Sequence, residues 1–350
     1  MNDIQERLLD LIQSDFPITH EPYKDLAKRV GIDAKTVFEL IRDLQAQGTI
    51  RRVGASFSSR HVGYASTLCA FAVEDARLDD VAAIVSKSPY VTHNYARENE
   101  FNLWFTVMGH GKTERDAIFN DLKAKAGIER ALNLPADRLY KIRVDFSEMK
   151  NNDVPAEHGK IPQNIRTQDT DVRSFNKDDA FDVALLRVIQ EDILELGLYP
   201  FEEIALRMAA HKNIDGELSS ATEDDVLARV NEWKANGTVR RFGAMVRHQK
   251  MGYAYNGMSV WDVPNGKRDA VGNIMQSFPF VSHCYARPRT SDWQYNVYGM
   301  VHAHNSEELD ARIAAIEAAL QEILPHQICH DVLISTHEYK KTSMTYFPQE

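Results

Sequence analysis

Two stretches of this chain carry the same triplet of chemically useful side chains. His93, Tyr95 and Arg97 alternate within Pro89-Tyr90-Val91-Thr92-His93-Asn94-Tyr95-Ala96-Arg97. His283, Tyr285 and Arg287 do the same within Pro279-Phe280-Val281-Ser282-His283-Cys284-Tyr285-Ala286-Arg287. In a strand, positions i, i+2 and i+4 face one side of the sheet. An imidazole, with a pKa near ~6.5, can deliver and recover a proton at neutral pH. A phenol can orient a group or relay a proton, and a guanidinium is a fixed cation suited to carboxylates. Such a face could hold an anionic aromatic ligand. A solvated strand face would use the same residue types, but retention of the triplet in two diverged copies favours a site. Asn102-Leu103-Trp104 matches Asn296-Val297-Tyr298, which sets an aromatic, Trp104 or Tyr298, on the strand beside each triplet. His110 matches His304, with His302 nearby, and His326, His330 and His337 enrich the C-terminal segment. The greater number of histidines near the second triplet points to copy two for catalysis.

The elements that must position these residues are also written twice. Gly48-Thr49-Ile50-Arg51-Arg52-Val53-Gly54-Ala55 returns as Gly237-Thr238-Val239-Arg240-Arg241-Phe242-Gly243-Ala244. A repeat near half the chain length makes each copy a domain-sized module. Leu8, Leu9 and Ile12, then Ala27 and Val30, then Val37, Leu40, Ile41 and Leu44, give helical apolar spacing in copy one. Residues 34–47 close at Gly48, and residues 50–57 read as strand. Three helices followed by a strand pair outline a winged helix-turn-helix. Copy two repeats it, with a polar insertion at residues 211–221. The arginine pairs Arg51-Arg52 and Arg240-Arg241 fall in the wing strand, where they could touch phosphate or hold peripheral carboxylates.

The rest of copy one reads as strand 68–74, helix 78–87, strands 90–97 and 101–108, helix 114–126 and strand 138–146. That β-α-β-β-α-β order is ferredoxin-like, and copy two repeats it from about residue 255 to 335. The fold class is therefore α+β. Winged helices span residues 1–60 and 179–248, ferredoxin-like domains span 61–150 and 249–350, and 151–178 is a polar linker. The repeat predicts an internal pseudo-dimer whose two ferredoxin-like sheets pack against each other, with a further homodimer left open.

Composition narrows the function. The 350 residues are 43% hydrophobic and 26% charged, as in ordinary globular proteins. No apolar run approaches a bilayer span, no signal peptide opens the chain, and three scattered cysteines suggest neither disulfides nor a zinc site. A cytoplasmic protein is expected. The net charge of −10 opposes DNA binding, which rests on neutralising phosphates.

A winged helix followed by a ferredoxin-like domain resembles the Lrp/AsnC family, and Asp25-Leu26-Ala27-Lys28-Arg29-Val30-Gly31-Ile32 is similar to that family's helix-turn-helix signature. The paired triplets, the Arg-Arg-Val/Phe-Gly-Ala segments, Asn-Leu-Trp-Phe-Thr-Val and the two-copy layout resemble, more narrowly, the siroheme decarboxylases in their fused form. That resemblance implies removal of two acetate carboxyl groups from siroheme to give 12,18-didecarboxysiroheme, on the way to haem d1 or haem. It implies His283, Tyr285, His93 and Tyr95 as catalytic groups. Arg287, Arg97, Arg240, Arg241, Arg51, Arg52, Trp104 and Tyr298 become candidates for binding substrate. No cofactor is expected beyond the iron of the siroheme substrate, which His283 or His93 could instead ligate. Siroheme is the expected partner, with other haem-biosynthesis enzymes as further candidates; specific DNA and membranes are not expected. The alternatives are an Lrp/AsnC-type transcription regulator with a small effector, or a haem or siroheme carrier without turnover.

Overall fold

The computed structural model describes residues 3–142, 175–208, 221–246, 255–324 and 328–347. The polar insertion at 211–220, the linker up to residue 174 and His326 lie outside the described residues. Copy one runs through α1 (Asp3–Ser14), α2 (Pro22–Val30), α3 (Ala34–Ala46) and β1 (Ile50–Phe57). It continues with β2 (Tyr64–Phe71), α4 (Leu78–Lys87), β3 (Val91–Arg97), β4 (Leu103–His110), α5 (Gly111–Ala126), β5 (Ala131–Pro135) and β6 (Arg138–Ile142). Copy two supplies α6 (Ala180–Ile189), α7 (Pro200–Met208), α8 (Glu223–Ala235) and β7 (Val239–Val246). It then gives β8 (Tyr255–Trp261), α9 (Arg268–Ser277), β9 (Val281–Ala286), β10 (Val297–Ala303), α10 (Ser306–Gln321) and β11 (His330–Lys341).

Local chemistry sets the ends of these helices. Gly31 closes α2 in the left-handed region at φ 79°, and the Asp33 side chain accepts from the Thr36 amide to open α3. A Thr222–Asp225 capping box opens α8.

The chain divides into two compact units, each built from both copies. In the helical unit, the strand pair expected within each winged helix forms instead between the copies. β1 pairs antiparallel with β7, with Gly54 opposite Gly243. The two glycines let the copies interlock. A Cβ on Gly243 would overlap the Ile12 carbonyl oxygen of α1, and one on Gly54 would overlap the Glu191 carbonyl oxygen just past α6. The repeated Gly-Ala is thus a requirement of close backbone approach between copies.

In the sheet unit, the strand order is β5-β2-β4-β3-β11-β8-β10-β9-β6. Each ferredoxin-like sheet keeps its four strands, β5-β2-β4-β3 and β11-β8-β10-β9. Each also lends strand to the other copy. β11 pairs with β8 from His330 to Ile334 and with β3 from Ser335 to Lys341. Copy one does the same in two pieces, β5 on β2 and β6 on β9. The final strand expected at 138–146 is therefore corrected. The fourth strand of copy one is β5, and β6 belongs to the edge of the other sheet. Pro135, which lacks an amide to donate, ends the first piece.

Helices α4 and α5 cover one face of the first sheet through Val81, Val85 and Phe119, packed with Phe105 of β4, and α9 and α10 cover the second through Val271, Met275 and Ile316. The opposite faces meet. Ala70, Trp104 and Leu134 of copy one share a core with Val260, Tyr298 and Leu333 of copy two. The two sheets pack against each other, as the repeat leads one to expect.

Replacing Gly243 with Ala is expected to cost about 1–3 kcal/mol, the usual range for overpacking. Urea unfolding should show a lower midpoint; an unchanged midpoint would contradict the close approach.

Candidate active site

Residue alternation in β3 and β9 holds as expected. Asn94 turns toward the helices, donating to the Ala82 carbonyl at 3.1 Å and to Ser86 Oγ at 3.0 Å. Cys284 is its buried counterpart on β9. His93, Tyr95 and Arg97 turn the other way, and so do His283, Tyr285 and Arg287. In each stripe the imidazole and phenol rings lie nearly parallel, 6.3 Å apart at 24° in copy one and 6.5 Å at 15° in copy two. Each guanidinium lies over its tyrosine, 5.6 Å from the Tyr95 centroid and 4.9 Å from that of Tyr285. The structure brings both triplets together as ordered stripes.

The arginines sit at the buried end of each stripe. Arg97 is 6% exposed and Arg287 9%. Arg97 Nη1 donates to the Leu333 carbonyl at 2.6 Å, and Arg287 Nη1 donates to the Leu134 carbonyl. Each arginine therefore clasps a fourth strand of the other copy. Burial lowers both pKa values, that of Arg97 to about 10, so the cation persists at neutral pH. Each guanidinium thus serves as a clamp between the copies through Nη1. Trp104 and Tyr298 are also buried. They are 2% and 3% exposed within the core between the sheets, because each inner face is covered by the other.

The Arg51-Arg52 and Arg240-Arg241 pairs lie in the helical unit, in the β1–β7 ladder. Arg52 donates to the Ala55 carbonyl at 3.2 Å, and burial lowers its pKa to about 10. Arg240 is exposed, and Arg51 and Arg241 are half-buried. The asparagines before β4 and in front of β10 are structural. Asn102 and Asn296 each exchange two hydrogen bonds with the backbone of Val73 and Val263. His304 pairs with Glu308, and His330 stacks on Trp261.

The two stripes meet different neighbours. Opposite Tyr95, β11 places Glu338, whose carboxylate accepts from the phenol at 3.3 Å. Burial, reinforced by that carboxylate, holds the Tyr95 phenol protonated well above its ordinary range. Opposite Tyr285, β6 places Leu139. Behind His283 stands a polar chain. His283 Nδ1 lies 2.8 Å from Ser282 Oγ, Ser282 Oγ lies 2.6 Å from His302 Nε2, and His302 Nδ1 meets Asn256 Oδ1 at 2.5 Å. A bulge between β9 and β10 at this point re-aims Ser282. Ser282 and Asn256 carry no sequence signal of this arrangement, because a bulge cannot be read from alternation. In copy one, His93 Nδ1 makes the first contact of the series, to Thr92 Oγ1 at 2.9 Å.

Comparison with known proteins follows the same lines. Residues 61–141 and 250–340 match the AsnC-like ligand binding domain, and residues 5–51 match the siroheme decarboxylase NirDL-like HTH domain. A siroheme decarboxylase from Hydrogenobacter thermophilus is 31% identical over 348 residues, covering 99% of this chain and 95% of that protein. A siroheme decarboxylase alpha subunit from Desulfovibrio desulfuricans is 43% identical over 146 residues, covering 42% of this chain and 84% of its own length. The crystal structure of the siroheme decarboxylase NirDL superposes with a TM-score of 0.72 at 27% identity, covering 99% of this chain and 95% of that one. A crystal structure of NirDL in co-complex with an iron-uroporphyrin III analogue gives a TM-score of 0.71 at the same identity and coverage.

Arg97→Ala and Arg287→Ala should each orphan a buried carbonyl and lose a stacked cation, lowering unfolding stability by about 1–3 kcal/mol. Denaturant unfolding measures this. An unchanged midpoint combined with weakened ligand binding would return the arginines to an anchoring role.

Proposed function

The chain belongs to the siroheme decarboxylase family, and we propose that it removes two acetate carboxyl groups from siroheme to give 12,18-didecarboxysiroheme, on a route to haem d1 or haem. The observation that carries this reading is the relation to a siroheme decarboxylase along nearly the whole length of both proteins, so that both copies, each with its His-Tyr-Arg stripe, are included.

Loss of CO2 from an acetate leaves an electron pair on the methylene carbon. The conjugated ring of the substrate spreads that charge, and no cofactor beyond the substrate is invoked. The chain must then supply a proton at that carbon. We assign this to the imidazoles of His283 and His93. Each has Nδ1 engaged by the hydroxyl of the preceding residue, and we assign the proton delivered to substrate to Nε2. Tyr285 and Tyr95, stacked beside the imidazoles and over the buried arginines, orient the acetate. A cation tightly bound to the departing carboxylate would stabilise the ground state and oppose decarboxylation. Arginines withdrawn to the buried end of each stripe avoid that penalty.

Sequence-specific DNA binding is not part of this reading. The third helix of copy two, α8, opens with Glu223, Asp224 and Asp225, which would repel phosphate. Among the described residues no helix is long and apolar enough to cross a membrane; a cytoplasmic site of action beside other haem-biosynthesis enzymes is our proposal.

Anaerobic incubation with siroheme followed by mass spectrometry should show loss of two CO2 units; unchanged siroheme would contradict the reading. His283→Ala or His93→Ala should slow turnover by ~10²–10⁴-fold while substrate binding is retained. If the copies treat different acetates, one substitution should accumulate the monodecarboxylated species. Full rates in both single variants and in the double variant would remove histidine from the mechanism.

A further inference from the structure

The two stripes are alike in front and unlike behind. Ser282 is fully buried and His302 is 8% exposed, so the chain from His283 to Asn256 runs through the interior of copy two. Its direction follows from chemistry. Asn256 Oδ1 can only accept, so His302 carries its proton on Nδ1 and presents Nε2 as an acceptor. Ser282 then donates its hydroxyl proton to His302 Nε2, and its oxygen accepts from His283 Nδ1. Neutral His283 is thereby held as the Nδ1–H tautomer. The proton it gains from water and gives to substrate must travel on Nε2.

Copy one keeps only the front of this arrangement. Counting back from the matched His304 and His110, Met108 stands where copy two has His302. Ser66, opposite Met108 across the ladder, stands where Asn256 lies opposite His302. A thioether carries no proton with which to direct a hydroxyl. Thr92 still meets His93 Nδ1, but at the matching position behind it there is no second imidazole.

We propose that His302 is a positioning residue that acts through Ser282 to fix the tautomer of His283, so that copy two is the better proton donor of the two. This rests on the decarboxylase reading above. In the step concerned, the bond from the methylene carbon to the carboxylate breaks and CO2 leaves. The electron pair remaining on carbon takes the proton from His283 Nε2–H, leaving a methyl group and neutral, Nδ1-protonated His283. The step is redox-neutral, and solvent restores the proton.

The test uses the full chain with 15N-labelled histidine, with His283→Gln to assign the resonance. NMR of the protein without substrate should show neutral His283 almost entirely as the Nδ1–H tautomer. His302→Met, which copies a residue the fold already accepts at the matching position, should give a mixture of tautomers. With siroheme, His302→Met should lower kcat about 10- to 100-fold, as loss of an outer positioning partner does, with KM unchanged. Ser282→Ala should reproduce that loss, and Ser282→Thr, which restores the hydroxyl used by copy one, should recover most of it. A His283 tautomer identical in the parent protein and His302→Met, or an unmoved kcat, would overturn the proposal. Absence of siroheme turnover in the parent protein would instead overturn the decarboxylase reading, and the tautomer measurement would still decide whether the relay exists.

Discussion

Each His-Tyr-Arg strand is an edge strand of its own ferredoxin-like sheet, and an edge strand presents unpaired amides and carbonyls that must be covered. Here a strand from the opposite copy covers it. The end of β11 runs along β3, and β6 runs along β9. This exchange fixes the register of both stripes and brings the Leu333 and Leu134 carbonyls within reach of Arg97 and Arg287. It also decides which side chains look across at each tyrosine. Neither stripe would be complete in a single copy, since the clasped carbonyl and the covering strand both come from the other. A fused chain supplies both copies in equal amount and in fixed register.

The same exchange lets two copies diverge without losing the fold. The clamps, the stacked rings and the glycines of the β1–β7 ladder repeat, because they are set by backbone contacts that both copies share. The surroundings of the chemistry do not repeat. Glu338 faces Tyr95 where Leu139 faces Tyr285, and Met108 replaces the imidazole of His302. The two His-Tyr-Arg faces are thus similar in their stacked rings and different in the groups that surround them.

Much of this was legible in the sequence, and the omissions have physical causes. Apolar periodicity gave the ferredoxin-like order, and helix 78–87 agrees with α4 to the residue. Alternation placed His93, Tyr95 and Arg97 on one face. Periodicity says which way a side chain points but not what covers that face, so the packing of Trp104 and Tyr298 in the core between the sheets was not legible. Strand propensity likewise marks a strand without naming its partner. For that reason 138–146 read as the closing strand of copy one, and 50–57 as half of a wing within its own copy. Arg97 carries the same charge whether it meets a substrate or a buried carbonyl, so its contact with Leu333 could not be read from the sequence.

In the proposed reaction a side-chain acid protonates the carbanion-like carbon left by decarboxylation. The most direct measurement is the isotopic content of the product formed anaerobically from siroheme in D2O. Imidazole protons exchange with solvent, so each newly formed methyl group should carry one deuterium. Methyl groups formed without deuterium would contradict proton delivery by an exchangeable side chain.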